Sequence, residues 1–218
     1  AFSNANVKIV GTHAGIGIGE DGYSQMGLED IALMRPLPNM TIVQPADAVE
    51  TAQAVEAAIR HEGPLFLRLT RQKVRDLHGE DYTFRLGEAD PLRQGSDVAI
   101  LATGGVVAPA LDAADRLAVR GIQAEVTNIH TIQPIDRAYL TACARRFGRI
   151  VTVEDHNVIG GLGSAVCDTL AGIHPVPVER IGVEGFGESG DPDELYEKYG
   201  FTGQAIAERV ERFLRSNG

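Results

Sequence analysis

The chain has 218 residues, 44% of them hydrophobic and 23% charged, with 25 Gly and 10 Pro, a composition that excludes disorder and suits one large or two small cores. Lys and Arg number 20 against 30 Asp and Glu, a formal net charge of −10. A surface with that balance repels a phosphate backbone, so no nucleic-acid partner is expected.

No apolar run approaches the ~20 residues that cross a bilayer, and the first residues lack the basic start and long apolar stretch of a secretory signal. No membrane contact and a cytoplasmic location are the expectations. Cys143 and Cys167 sit among small and apolar residues, away from any CxxC or Cys/His spacing, and read as buried free thiols.

Residues 7–11 predict a short buried strand, and the glycine-rich residues 12–22 a loop. Residues 28–35 have helical spacing and stop before Pro36 and Pro38; residues 41–43 predict a strand. Asp47 and Glu50, three apart, supply the oxygens that satisfy free N–H groups at a helix start. That helix runs to about Arg60, and strand 65–69 follows. Strands alternating with helices of this length predict an α/β fold, a parallel sheet covered on both faces.

Residues 73–94 are polar and irregular, so the boundary is placed there: a partial domain at 1–75, a linker at 76–94, and a second domain at 95–218. In the second domain the pattern predicts strands at 97–102, 124–128, 150–154 and 176–183, with helices at 106–120, 137–147, 162–170, 193–199 and 203–215. It reads as complete. The first domain, with three strands, makes a thin sheet that is expected to need cover from preceding chain or from a partner, so oligomers are expected.

In α/β sheets ligands bind outside the carboxyl ends of the strands, which is where residues 12–22 lie. This loop combines His13 with Glu20, Asp21 and glycines that let backbone approach a ligand closely. A plain surface loop with both acids solvated is the competing reading. Arg71 follows strand 65–69 and leaves the same edge; a guanidinium grips a tetrahedral anion through two N–H groups. Alone, Arg71 suits a surface ion pair equally well; with His13 at a second strand end it makes a more specific anion site.

Ala102-Thr103-Gly104-Gly105 lacks the GxGxxG spacing, so no dinucleotide site is expected. Gly160-Gly161-Leu162-Gly163 has two readings, free N–H groups for an anion or close helix–strand packing, with packing favoured. His130, His156 and His174 have no partner at catalytic or metal-ligand spacing, His61 ends a helix and His78 lies in the linker, and none of the five is given a role.

Thr12-His13, Gly19-Glu20-Asp21-Gly22, the run from Leu28 to Arg35, Pro38-Asn39, the run from Pro45 to Glu50, and Leu69-Thr70-Arg71-Gln72, in that order and spacing, resemble transketolase in the later half of its pyrimidine-binding domain. From about Gly95 onward, including Ala102 to Gly105 and the run from His156 to Ser164, the chain is similar to the transketolase C-terminal domain. Deoxyxylulose-phosphate synthase and the β subunits of 2-oxoacid dehydrogenases share that domain. The wording from Glu29 to Arg35 most resembles the split transketolases, in which a separate chain supplies the diphosphate-binding domain.

The resemblance implies two parallel-sheet domains covered by helices and transfer of a two-carbon ketol unit from an anionic ketose to an aldose through thiamine diphosphate. It implies that His13 and Arg71 hold the charged end of the sugar. It implies as well that Asp21 lies in the substrate channel and recognises a sugar hydroxyl. Gln25 stands where the family has a histidine that contacts the donor near the reacting carbon. His13, Asp21 and Gln25 are thus the implied catalytic positions, and His13, Asp21 and Arg71 the substrate-binding ones. Cofactor and metal ligands are expected outside this stretch: the aminopyrimidine-activating glutamate and its aromatics before the counterpart of residue 1, the Mg²⁺ and diphosphate on another domain. The implied partners are an N-terminal transketolase subunit and a second copy of this subunit, a homodimer within a heterotetramer.

Two departures follow. Gln25 donates and accepts hydrogen bonds but does not titrate, and Tyr23 replaces a small residue at the channel. Three functions therefore stand: a split transketolase subunit, a β-type subunit of a 2-oxoacid-processing thiamine enzyme, and a non-catalytic assembly subunit.

Overall fold

A computed structural model describes residues 1–216. In chain order its strands are β1 (Lys8–Gly11), β2 (Thr41–Val43), β3 (Leu65–Arg68), β4 (Asp90–Arg93), β5 (Val98–Thr103), β6 (Ala124–Asn128), β7 (Thr131–Gln133), β8 (Ile150–Asn157) and β9 (Val178–Val183). The helices are α1 (Asp30–Met34), α2 (Ala48–Arg60), α3 (Val107–Val119), α4 (Arg137–Phe147), α5 (Leu162–Ala171), α6 (Pro192–Lys198) and α7 (Gly203–Ser216). They build two sheets, ordered β1-β3-β2-β7 and β4-β6-β5-β8-β9. All pairings are parallel except β2 with β7 and β4 with β6.

Strands covered on both faces read as continuous apolar runs, and every residue of β2, β3, β5 and β6 is buried. Helix starts are set by side-chain oxygens: Asp47 accepts from the Glu50 N–H at 2.8 Å and Asp136 from the Tyr139 N–H at 2.9 Å. The Glu50 carboxylate reaches back past the cap residue to the Ala46 N–H at 2.6 Å. Helix α4 closes on Gly148, whose φ of 66° is left-handed and suits glycine.

Four expectations change. The first strand is not buried: Val7 and Val10 are 53% and 51% exposed, because the strand order places β1 at the sheet edge with β3 on one side alone. Within residues 12–22 the segment Ile16–Asp21 winds as two short 3₁₀ turns that meet at a kink at Gly19, whose φ is 73°. Residues 76–94 are not irregular throughout, since β4 lies among them and pairs antiparallel with β6, its Pro91 tolerated at a sheet edge. And Thr131–Gln133, too short for any periodicity, becomes β7 by pairing antiparallel with β2, so the second half of the chain completes the sheet of the first.

Candidate active site

The site begins with strand register. Gly11 of β1 pairs with Arg68 of β3 in parallel, so the segments following both strands leave one carboxyl edge. Backbone bonds continue the pairing beyond the strands, from Leu69 N–H to the Gly11 carbonyl at 2.7 Å and from Ala14 N–H to the Leu69 carbonyl at 3.1 Å. His13 and Arg71 therefore stand at adjoining strand tips.

Their side chains take different partners. Arg71 Nη1 donates to Asp21 Oδ2 at 2.7 Å, with the side chains 57% and 48% exposed. An ion pair that open is worth ~0–1 kcal/mol, so it is easily re-formed around a ligand. The pair lines a cleft of about 470 Å³ together with Glu20 and Lys73 on the same side and Asp191 and Asp193 at the start of α6 on the other. His13 is exposed, its Nδ1 2.8 Å from Thr12 Oγ1, and it does not line this cleft. Gln25 is exposed and holds its turn through its N–H to the Gly22 carbonyl at 3.0 Å; Tyr23 is 69% exposed. The structure thus joins Arg71 to Asp21, keeps His13 at the same edge, and leaves Gln25 and Tyr23 in the open.

Beneath the edge lies a buried polar network that sequence reasoning missed. Arg68, with no exposed side-chain surface, holds Asp30 through Nε at 2.9 and 3.0 Å, and through Nη2 the carbonyls of Gly27 at 2.7 Å and Asp155 at 3.0 Å. Asp155 accepts the Ile16 N–H at 2.8 Å and the Tyr196 hydroxyl at 3.0 Å. Burial pushes the Asp155 carboxyl up, opposed by the Ile16 N–H, the Arg68 charge and the Tyr196 and Gly17 donors. The available signal was a charged residue inside an apolar strand run, which stays buried only when paired.

The glycines of 160–163 resolve toward packing. Glu154 fills the N-terminus of α5, accepting the N–H groups of Leu162 at 2.6 Å and Gly163 at 2.8 Å. A Cβ on Gly161 would fall 1.9 Å from that carboxylate. Burial pushes the Glu154 carboxyl up to about 7, the two N–H groups opposing it. His156, also buried, accepts the Ala32 N–H on Nε2 at 3.4 Å and donates from Nδ1 to the Asn157 carbonyl at 2.7 Å. Burial and the Arg68 charge hold it down to about 4, a neutral imidazole. Cys143 is buried, its thiol pushed up to about 12 by burial, whereas Cys167 is only half-buried.

His78 has partners after all. Its Nδ1 meets Asp47 at 2.8 Å and its Nε2 meets Asp90 at 2.7 Å, so both nitrogens donate and the ring is an imidazolium. Burial opposes that charge, but the hydrogen bond to Asp90 and the neighbouring Glu50 and Asp47 raise it to about 9. Tyr82 donates to Glu50 at 2.6 Å, and Asn128 donates to both Glu50 oxygens at 2.9 and 3.0 Å. Among the described residues, Glu50, His78 and Asp90 form the one grouping with ligand atoms within 4.8 Å of one another. Those atoms are already committed to each other's neighbours, which makes the group a clasp of the 76–94 segment and not a metal site.

Nor do the cleft walls fit a thiamine diphosphate: they carry no aromatic ring to hold an aminopyrimidine, and four acids crowd the space a diphosphate would need. A glycine-rich turn thus meets a strand-end arginine at the carboxyl edge of one α/β sheet, and α6, from the half of the chain that builds the second sheet, lends the cleft its far wall. Residues 1–76 match the family described as the transketolase pyrimidine binding domain and residues 87–206 the transketolase C-terminal domain; the chain belongs to the transketolase family.

It is 44% identical over 207 residues to the 6-deoxy-6-sulfo-D-fructose transketolase subunit SqwH of Clostridium sp. (strain MSTE9), covering 94% of this chain and 64% of that protein. Among solved structures, a split gene transketolase described as an inactive beta4 tetramer superposes with a TM-score of 0.90 at 41% identity, over 100% of this chain and 69% of that one. A transketolase mutant from Pichia stipitis gives a TM-score of 0.79 at 28% identity, over 99% of this chain and 31% of that one. The chain thus spans under two thirds of the first relative's length.

Proposed function

We propose that this chain is the C-terminal section of a split transketolase and that, with an N-terminal partner, it transfers a two-carbon ketol unit from an anionic ketose to an aldose. The observation that carries this reading is the Arg71–Asp21 pair on an open cleft at the carboxyl edge of β1 and β3. Arg71 offers paired N–H donors to a phosphate or sulfonate, with Lys73 a second cation on the same wall. On release from Arg71, Asp21 accepts a hydrogen bond from a sugar hydroxyl. His13, at the neighbouring strand tip, is assigned a contact to the same sugar from outside the cleft, a reading its position on the same sheet edge supports.

Holding the charged end at one fixed point uses binding to orient the distant reacting carbon. Gln25 orients the donor by hydrogen bonding and does not act as an acid or base, because its amide does not titrate near neutrality. Thiamine diphosphate and Mg²⁺ are assigned mainly to residues outside this stretch, the diphosphate and the metal to the companion chain and the aminopyrimidine to residues before the counterpart of residue 1; the misfit of the cleft supports this. The relative described as an inactive beta4 tetramer supports a subunit that associates with its own copies and needs a partner to act. A homodimer of this subunit inside a heterotetramer is the proposed assembly.

The test is reconstitution of the full-length subunit with its N-terminal partner, thiamine diphosphate and Mg²⁺. Ketol transfer from a ketose phosphate or a 6-sulfonated ketose is expected from the mixture and from neither subunit alone. Carbon dioxide release from a 2-oxoacid without ketol transfer would replace this reading with a 2-oxoacid enzyme, and neither reaction would leave an assembly subunit.

A further inference from the structure

The 3₁₀ segment that carries Asp21 belongs to the first half of the chain, where backbone bonds from the Ala14 N–H to the Leu69 carbonyl at 3.1 Å and from the Gly15 N–H to the Gly27 carbonyl at 2.9 Å hold the residues just before it. The N–H groups of the segment itself turn instead to β8. We infer that Asp155, anchored in the second sheet, is a positioning residue that sets the path of residues 15–21 so that Asp21 arrives at Arg71; its role in turnover rests on the transketolase reading above.

Three observations carry this. First, the Asp155 carboxylate, 3% exposed, has no water to bond and spends its oxygens on donors from two elements: Oδ1 on the Ile16 N–H at 2.8 Å and Oδ2 on the Tyr196 hydroxyl of α6 at 3.0 Å, with the Gly17 N–H also directed at it. Its own carbonyl takes Arg68 Nη2 at 3.0 Å, three positions before Arg71. One residue therefore joins the start of the cleft's near wall, the helix of its far wall and the strand that delivers the arginine.

Second, the chain gives up side chains where it passes this carboxylate. Gly15 adopts a φ of 79°, in the left-handed region, and a Cβ there would stand 2.1 Å from Asp155 Oδ2. Third, the other end of the segment is also held by the second half: a Cβ on Gly19 would fall 2.6 Å from Pro192, and the Ser189 hydroxyl donates to the Glu20 carbonyl. With both ends held, the six residues Ile16–Asp21 have no slack, and Asp21 emerges 2.7 Å from Arg71. Losing the carboxylate strands the Ile16 and Gly17 N–H groups in the interior, so the segment must move to satisfy them.

Asp155→Ala in the full subunit, reconstituted with its partner, removes both acceptor oxygens and tests this through two readouts. Exchange of the Ile16 and Gly17 amides with solvent deuterium is expected to quicken about tenfold or more, as local opening becomes cheaper. KM for the anionic ketose is expected to rise about fivefold or more while kcat stays within about twofold. A purely structural role would lower the fraction of folded enzyme and leave KM and those two amides as in wild type, which would overturn the inference. Should Asp155→Ala not fold, Asp155→Asn decides: it leaves one acceptor oxygen for the Ile16, Gly17 and Tyr196 donors that now share two, and unchanged exchange and KM there would also overturn it. The exchange measurement stands even if wild type shows no ketol transfer, so a failed functional reading and a failed positioning role give different results.

Discussion

Arg68, a guanidinium with no exposed surface, meets the half-buried carboxylate of Asp30 at 2.9 Å, and together they close the base of the loop that carries the cleft. Removing Arg68 leaves the Gly27 and Asp155 carbonyls without this donor and Asp30 without its counter-charge, at about 2–3 kcal/mol, since water reaches that carboxylate in part. Arg68→Met is expected to lower the urea midpoint of unfolding by a corresponding amount at unchanged slope, and Arg68→Lys to lower it nearly as far, because an ammonium does not reproduce the fork that also holds the Gly27 and Asp155 carbonyls.

His78 gives stability a pH dependence of fixed sign. Its folded-state value of about 9 lies above the ordinary 6.5, so the folded chain binds the extra proton between those values. The stabilisation is fully present below pH 6.5 and is lost as pH rises through about 9. Thermal unfolding of wild type is expected to show that alkaline loss, and His78→Gln to be less stable at pH 6 while losing little more between pH 6.5 and 9.

The packing role of the 160–163 glycines separates from their flexibility by substitution. Gly161→Ala drives a Cβ into the Glu154 carboxylate and unseats it from the α5 N-terminus, an expected loss of about 2 kcal/mol or more. Gly172→Ala, with φ of −95° and nothing within 4 Å of the new Cβ, is expected to stay within about 0.5 kcal/mol of wild type. Equal midpoints in denaturant for the two variants would refute the packing role.

Gln25 is exposed, and its side chain makes no hydrogen bond among the described residues, so Gln25→His is expected to change stability by less than about 0.5 kcal/mol. It introduces a titratable group, and the kcat profile of the reconstituted enzyme is expected to gain a limb near pH 6.5 that wild type lacks.

What was legible in the sequence follows the range of the forces involved. Helix α4 and strand β6 lie where local signals placed them, Asp136 before the helix and Gly148 after it, with an apolar run for the strand. Arg71 and Asp21 could be set near the carboxyl edge from the sequence because motif order and strand-end position are local too; that they pair with each other could not. His78 and Asp155 were not, because each acquires its meaning from residues at a distance: Asp47 and Asp90 for one, Ile16 and Tyr196 for the other. The same holds for β7, which is a strand only because β2, almost ninety residues earlier, offers it a free edge. Exposure of β1 was hidden for the converse reason: an apolar run looks alike whether or not something lies against it.

That Arg71 holds the charged end of a ketose is decided by steady-state kinetics of the reconstituted complex, wild type against Arg71→Ala, on a ketose phosphate and on the same sugar without its phosphate. The predicted result is a fall of about 10²-fold in kcat/KM on the phosphorylated sugar, carried by KM, with the neutral sugar changed by less than about twofold. Equal losses on both sugars, or no loss on either, would contradict it.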